Sequence, residues 1–315
     1  MKTCYIYLNG KSYDGTVFVT QIADWLRIYA ENGVEFQYLH LFHIQSLLKS
    51  SWRKQQSVDI KRVIPNWEEH SYFLPSRGLG VHINARLWAR KIKKISKGSE
   101  KIVVFSRVMI GKEVNVLRRL IKLPIYFIYD ARAASVEENK YNAVKGDYLS
   151  QAQFNMFSHI SYLECVTVKE ANRIFSVSNQ LKRYLIQNYG VNENKFFIYP
   201  CLSDNRKFYY DENLRQSFRK ELGYTDDNTV YLYSGGLGNV YHVSDQILSF
   251  LDAVAAKWDK SRFLLLSKDS VDETLLRKYP NIKGKIINRS VPNDEIVKYL
   301  NAADYGLLFR ENVPM

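Results

Sequence analysis

The chain has 315 residues and a formal charge of +13, from 45 lysines and arginines against 32 aspartates and glutamates, with only three cysteines. This length predicts two domains, each large enough to bury a core without disulfides or metals. Cys4, Cys165 and Cys201 are far apart, odd in number and without zinc spacing, which fits a reducing compartment. Met1 to Leu8 is too short for a signal peptide and runs at once into Asn9-Gly10-Lys11, and no stretch approaches the roughly 18 apolar residues of a membrane span. A cytoplasmic protein is expected.

Taken in order, apolar runs of strand length alternate with runs of helical period. Strands are predicted at Thr3 to Leu8, Val34 to Leu41 and Ile60 to Pro65, and helices at Phe18 to Glu31 and His43 to Gln55. Asn66 to Gly80, with two prolines and two glycines, reads as a loop. There follow a helix from Val81 to Lys97, a strand from Lys101 to Ser106, a helix from Lys112 to Ile121 and a strand from Ile125 to Asp130. After a loop from Ala131, a long helix is expected from about Asp147 to Ala171. Arg173 to Val177 is a strand, Ser178-Asn179 caps a helix from Gln180 to Tyr189, and Lys195 to Tyr199 closes the half.

Pro200 to Tyr210 breaks the rhythm, and a domain boundary is expected there, giving domains 1–204 and 205–315. The second half reads as helix Asn213 to Leu222, strand Thr229 to Tyr233, helix Tyr241 to Trp258, strand Arg262 to Leu266, helix Val271 to Tyr279, strand Ile282 to Ile287, helix Asn293 to Ala302 and strand Tyr305 to Phe309. Such βα alternation predicts an α/β fold of two doubly wound parallel sheets with helices on both faces. Ending on a strand would leave one sheet face uncovered, so the second domain is expected to be incomplete.

In the second half, Tyr231 to Ser234 runs into Gly235, Gly236, Leu237 and Gly238 just before a helical pattern. A strand that stops in glycines at a helix start exposes unpaired N–H groups and lets a phosphate approach without meeting a Cβ. A phosphate-bearing ligand is therefore expected, although glycines also serve simply to make a turn. Tyr241 stands where the dinucleotide fingerprint has its third glycine, and the next strand ends in Ser267-Lys268 rather than in a carboxylate. There is no Gly-Lys-Ser/Thr ending of a P-loop either. A nucleotide sugar is the better candidate.

Between Arg77 and Lys122 thirteen basic residues face only Glu100 and Glu113. Within that region Trp88, Ile92 and Ile95 make an apolar stripe on a helix otherwise carrying Arg90, Lys93, Lys94 and Lys97. Such a helix suits an anionic membrane surface. The alternative is a solvated helix whose stripe packs on the sheet. Nucleic acid is not expected, because no recognition signature accompanies the charge.

Several of these motifs resemble one family. Ser176-Val177-Ser178-Asn179-Gln180-Leu181, then Tyr189-Gly190 and Lys195 to Pro200, look like the end of the amino-terminal domain of GT-B glycosyltransferases of the large retaining family. Tyr233 to Leu237 resembles the donor-domain glycine loop, and Ala302 to Arg310 the late strand before the donor carboxylates. The resemblance implies two Rossmann-like domains facing a cleft and transfer of a sugar from a nucleoside diphosphate to a glycan or lipid-linked acceptor, as in bacterial surface polysaccharide synthesis. It also implies retention at the anomeric carbon and no metal or other cofactor, in keeping with the lack of an Asp-x-Asp triplet.

On this resemblance the donor side comprises Gly235, Gly236, Leu237 and Gly238 with His242 in the following helix, Lys268 after the next strand, Val291 of the nucleobase-contacting loop and Arg310. Asp14 and Gly15, in the loop after the first strand, fall on the acceptor side. Asp130 and Arg132 follow a buried strand, where an open α/β sheet places its ligands, and are the catalytic candidates: Asp130 as a proton or hydroxyl acceptor, Arg132 as a phosphate partner. An Asp–Arg pair that staples its own loop is the alternative. Relatives carry an arginine and a lysine in and after the glycine loop, and Leu237 to Ser244 contains neither. If the donor carboxylates are missing, the chain is instead a GT-B-like binding or scaffold protein.

Overall fold

In the computed structural model, which describes residues 2–10, 22–43, 67–143, 151–237, 244–292 and 294–309, the chain divides into two compact units, Met1–Leu202 and Ser203–Pro314. The first is built on a seven-stranded sheet of order β3-β2-β1-β4-β5-β6-β7. Its strands are β1 (Thr3–Asn9), β2 (Phe36–His43), β3 (Trp67–Phe73), β4 (Lys101–Ser106), β5 (Ile125–Ala131), β6 (Arg173–Ser176) and β7 (Phe196–Ile198). Every pairing is parallel. The sheet therefore runs outward in both directions from β1 and β4, and the order reverses between them.

Successive residues of a strand point to opposite faces, and both faces of this sheet are covered. From β1, Ile6 and Leu8 enter one core with Val104 of β4, Phe127 of β5, and Trp88 and Ile92. Tyr7 points the other way, into an aromatic core with Trp25, Phe36, Tyr38 and Phe105. Trp25 belongs to α1 (Asp24–Glu31), while Trp88 and Ile92 belong to α2 (Leu79–Ile95). On the α2 side lie also α3 (Gly111–Leu120), with Val114 and Leu117, and α6 (Asn179–Tyr189), with Leu181 and Leu185. Between them in sequence come α4 (Ser135–Ala143) and α5 (Gln151–Glu170).

Two local features are readable from sequence. The Ser178 hydroxyl accepts the Leu181 N–H at 3.1 Å, and Gly190 ends α6 in the left-handed conformation at φ 63°, which glycine adopts without a Cβ penalty. Gly111 is required for a different reason: a Cβ there would lie 2.6 Å from the Thr167 Cα, so α3 crosses α5 with backbone against backbone.

The second unit holds a four-stranded parallel sheet of order β10-β9-β8-β11. It is formed by β8 (Thr229–Ser234), β9 (Ser261–Leu266), β10 (Ile286–Arg289) and β11 (Tyr305–Leu307). Helices α7 (Glu212–Glu221), α8 (Ser244–Lys257), α9 (Glu273–Lys278) and α10 (Ile296–Ala302) intervene. Tyr233, Phe263 and Leu265 face α8 residues Ile247, Leu248 and Leu251, and the opposite face packs Leu232 and Leu264 against Phe218 of α7 and Tyr299 of α10. Here too the order reverses beside the first strand, between β8 and β11.

The parallel α/β organisation expected from the sequence is borne out, with local corrections. The stretch 66–80, read as a loop, contains β3, an edge strand paired in parallel with β2. Its sequence, Trp-Glu-Glu-His-Ser-Tyr-Phe, has the charged character of edge strands and lacks the apolar run of a buried one. The stretch after Ala131 contains α4. Ile282 ends a short 3-10 helix, so β10 begins four residues later than its apolar run. The predicted helix His43 to Gln55 and strand Ile60 to Pro65 lie outside the described residues, apart from His43, which ends β2.

The apolar stripe assigned to a membrane is also corrected. Trp88 and Ile92 are fully buried in the core on the sheet, because their ridge is the one α2 turns toward β1 and β4. The opposite ridge of the helix carries exposed Leu79, Ile83 and Leu87, four residues apart, together with exposed Arg86, Arg90, Lys93 and Lys94.

Candidate functional site

Two places meet the rule that ligands of an open α/β sheet bind beyond the carboxyl ends of its strands, where the order reverses. In the second unit that place is the end of β8. Gly235 donates its N–H to the Leu266 carbonyl at 3.0 Å, so the loop leaves the sheet still joined to β9. The Tyr233 hydroxyl donates to the Gly236 carbonyl at 2.9 Å and braces the turn. Leu237 is buried.

The Leu237 N–H points to Asp269, whose Oδ2 accepts it at 2.6 Å. Asp269 follows β9 and is fixed by its surroundings: its own N–H donates to the Ser267 hydroxyl at 3.1 Å, and its carbonyl accepts from the Asn288 side chain at 3.3 Å. Asn288 in turn accepts the Val271 N–H at 2.8 Å. A carboxylate thus occupies the backbone donor of Leu237. Asp269 immediately follows Ser267-Lys268, three residues beyond the end of β9, and motif spacing does not single it out.

Lys268, beside it in sequence, is exposed, and Val291 is half-buried after β10. Gly238, His242 and Arg310 lie outside the described residues, as do Asp14 and Gly15 on the first unit.

In the first unit the polar residues gather at the ends of β1, β4 and β5. Asp130 is 6% exposed and accepts at both oxygens. Arg107 Nε donates to Oδ2 at 2.9 Å, the Tyr7 hydroxyl approaches the same oxygen at 3.4 Å, and Arg132 Nε donates to Oδ1 at 2.7 Å. Asn9, at the end of β1, donates to the Tyr38 hydroxyl at 3.0 Å. The sheet explains the convergence: parallel pairing brings β1, β4 and β5 to one edge, with Ile128 of β5 in register with Phe105 of β4 and Tyr7 of β1 in register with the same Phe105.

This arrangement decides what Asp130 can do. A carboxylate that accepts from two guanidiniums through separate oxygens orients both of them. Burial, together with the Asp130 charge, drives the Tyr7 hydroxyl far above its ordinary range, so it stays a neutral donor. Sequence reading missed Tyr7 of β1 and also Arg107, the next residue after β4. Its signal was position, one residue beyond a buried strand at the point where the sheet order reverses.

No protein-family model matches the sequence, and no curated protein matches it. The fold, however, has close counterparts among solved structures. HepE from Anabaena, solved in complex with UDP, superposes with a TM-score of 0.59 over 96% of this chain and 73% of its own, at 12% identity. A glycosyltransferase from Rickettsia africae gives 0.58 over 96% and 72%, at 14% identity. WaaG, a glycosyltransferase involved in lipopolysaccharide biosynthesis, gives 0.55 over 96% and 74%, also at 14%.

The chain has the GT-B fold. Within the GT-B fold the β8 glycine loop and the β1–β4–β5 edge each belong to a separate Rossmann-like unit.

Proposed function

We propose that the chain is a glycosyltransferase that moves a sugar from a nucleoside-diphosphate sugar to a glycan or lipid-linked acceptor in surface polysaccharide synthesis. The observation that carries this reading is the glycine loop Gly235-Gly236-Leu237 at the reversal point of the second sheet, between β8 and β11. In this reading the loop N–H groups and the start of the following helix receive the diphosphate, and their fixed dipoles stabilise the charge on the departing phosphate. HepE, whose fold is similar, has also been solved with UDP-glucose, with a TM-score of 0.58 over 97% of this chain and 73% of its own, at 11% identity, which supports a uridine donor as the first to test. Retention at the anomeric carbon and independence from metal are part of the proposal.

The donor side is assigned to Gly235, Gly236, Leu237, Gly238, His242, Lys268, Val291 and Arg310, and the acceptor side to Asp14, Gly15, Asp130 and Arg132. A peripheral place on the inner face of the cell membrane is supported by the exposed ridge of α2. There Leu79, Ile83 and Leu87 offer apolar contact beside Arg86, Arg90, Lys93 and Lys94, a pattern that suits anionic lipid. No helix among the described residues is long and apolar enough to cross a membrane.

The competing reading is a GT-B-like binding or scaffold protein. It is favoured by one observation, the Asp269 carboxylate seated on the Leu237 N–H. Calorimetry of the full chain with UDP-, GDP- and dTDP-sugars in the absence of metal separates the two. Binding of one sugar nucleotide, abolished by Gly236→Val, supports the transferase. Silence across the panel from a folded chain supports the scaffold.

A further inference from the structure

Arg132 is mostly buried, 17% exposed, and its five N–H donors are unequally used. Nε is committed to Asp130 Oδ1 at 2.7 Å. The outer edge of the guanidinium, Nη1 and Nη2, has no oxygen acceptor among the described residues. Among the described residues Nη1 makes a long approach to the Cys201 sulfur, at 3.8 Å. The central carbon of the group lies over the Tyr199 ring, 5.4 Å from its centre, within cation–π range.

Asp130 cannot serve that outer edge. Both of its oxygens already accept, and its single charge is shared between Arg132 and Arg107. A guanidinium fixed through Nε, set over a ring and left with two Nη groups that meet no oxygen acceptor among the described residues is arranged for a two-oxygen acceptor. A sugar hydroxyl could take one of these hydrogen bonds, but would leave the charge of a largely buried cation half-compensated. An oxyanion meets both requirements.

We infer that Arg132, oriented by Asp130, binds a phosphate or carboxylate group of the ligand taken by the first unit. Resting on the transferase reading, this makes the acceptor an anionic molecule, with Arg132 setting its specificity and Asp130 acting as a positioning residue. Asp130 holds Nε one residue beyond the end of β5 and leaves the Nη edge for the ligand.

Cys201 provides a local reporter, because it is exposed and its sulfur lies 3.8 Å from Nη1. The experiment measures the alkylation rate of Cys201 in the full chain by peptide mass spectrometry, with half-buried Cys165 as the internal control. Inorganic phosphate and acetate are the two probes, at ionic strength matched with chloride. Slowing of Cys201 by about half when the site is half-filled is expected. The effect should be absent in Arg132→Gln and weakened in Arg132→Lys, which keeps the charge but loses the fork.

Protection by phosphate alone assigns a phosphorylated acceptor, and protection by acetate as well extends the assignment to carboxylates. Equal protection in Arg132→Gln, shown to be folded by its thermal melt, overturns the inference. So does absence of protection up to about 100 mM of either ion, well beyond the range expected for a bidentate pair. UDP-glucose calorimetry on the same protein keeps the two readings apart. Donor binding without protection leaves the transferase standing and removes the oxyanion site, whereas protection without donor binding does the reverse.

Discussion

The carboxylate of Asp269 accepts the backbone N–H of Leu237 at 2.6 Å, so the loop after β9 caps the loop after β8. In the proposed donor site a diphosphate would compete with the carboxylate for that donor and be repelled by it. Replacing Asp269 by Asn, which keeps the size and one acceptor oxygen but removes the charge, is expected to tighten sugar-nucleotide binding about threefold to tenfold. The range corresponds to roughly 0.7–1.4 kcal/mol. Calorimetry with UDP-glucose checks this. Weakened binding would instead make Asp269 a support that holds the glycine loop in shape.

Gly111 and Thr167 provide a stability test unrelated to ligand. Because an added Cβ would sit 2.6 Å from the Thr167 Cα and 2.8 Å from its nitrogen, Gly111→Ala must push α3 away from α5. A loss of about 1–3 kcal/mol is expected, the usual cost of overpacking. Urea titration gives the number, and an unchanged midpoint would show that the crossing relaxes freely.

The buried carboxyl of Glu164 accepts a hydrogen bond from the Tyr189 hydroxyl at 2.7 Å. Burial raises its pKa above the ordinary value, outweighing the opposing hydrogen bonds from Tyr189 and Ser135. Since the folded-state pKa lies above the unfolded one, the unfolded chain releases this proton first. Stability from this group is therefore full below the unfolded pKa and falls as pH rises through the folded pKa. Glu164→Gln should flatten that fall, so that melting temperatures of variant and parent converge in acid and separate toward neutral pH, with the variant the higher. A variant that melts lower at every pH would refute this.

Charge reversal at Arg86, Arg90 and Lys94 should weaken binding to vesicles rich in anionic lipid by about 1 kcal/mol or more for each basic residue removed from the surface, with little change in thermal stability. Leu79→Ser with Ile83→Ser should weaken it as well, because the buried ridge of α2 is untouched. Co-sedimentation with vesicles reads both sets. Unaltered sedimentation in either set would show that this ridge is simply a solvated face.

How much of this was legible beforehand varies residue by residue. The βα rhythm, the Ser178 cap and the Gly190 stop are written in local pattern, because periodicity and capping act over a few residues. Which ridge of α2 faces the core was not: both ridges carry apolar residues, and only docking on β1 and β4 buried Trp88 and left Leu79 exposed. The charged strand β3 was hidden for a related reason. An edge strand gains its hydrogen bonds from a neighbour distant in sequence and has no need of an apolar run.

The sequence by itself determined the α/β class, the glycine loop at the end of β8, and the presence of Asp130 at the end of a buried strand with Arg132 just beyond it. These follow from short-range chemistry. Only the tertiary structure decided that Arg107 and Tyr7, 23 and 123 residues from Asp130, would join it, and that Asp269, 32 residues on, would seat its carboxylate on Leu237. Parallel pairing is the reason: it stacks the carboxyl ends of strands distant in sequence along one edge, and the side chains that meet there are chosen by sheet order rather than by spacing along the chain.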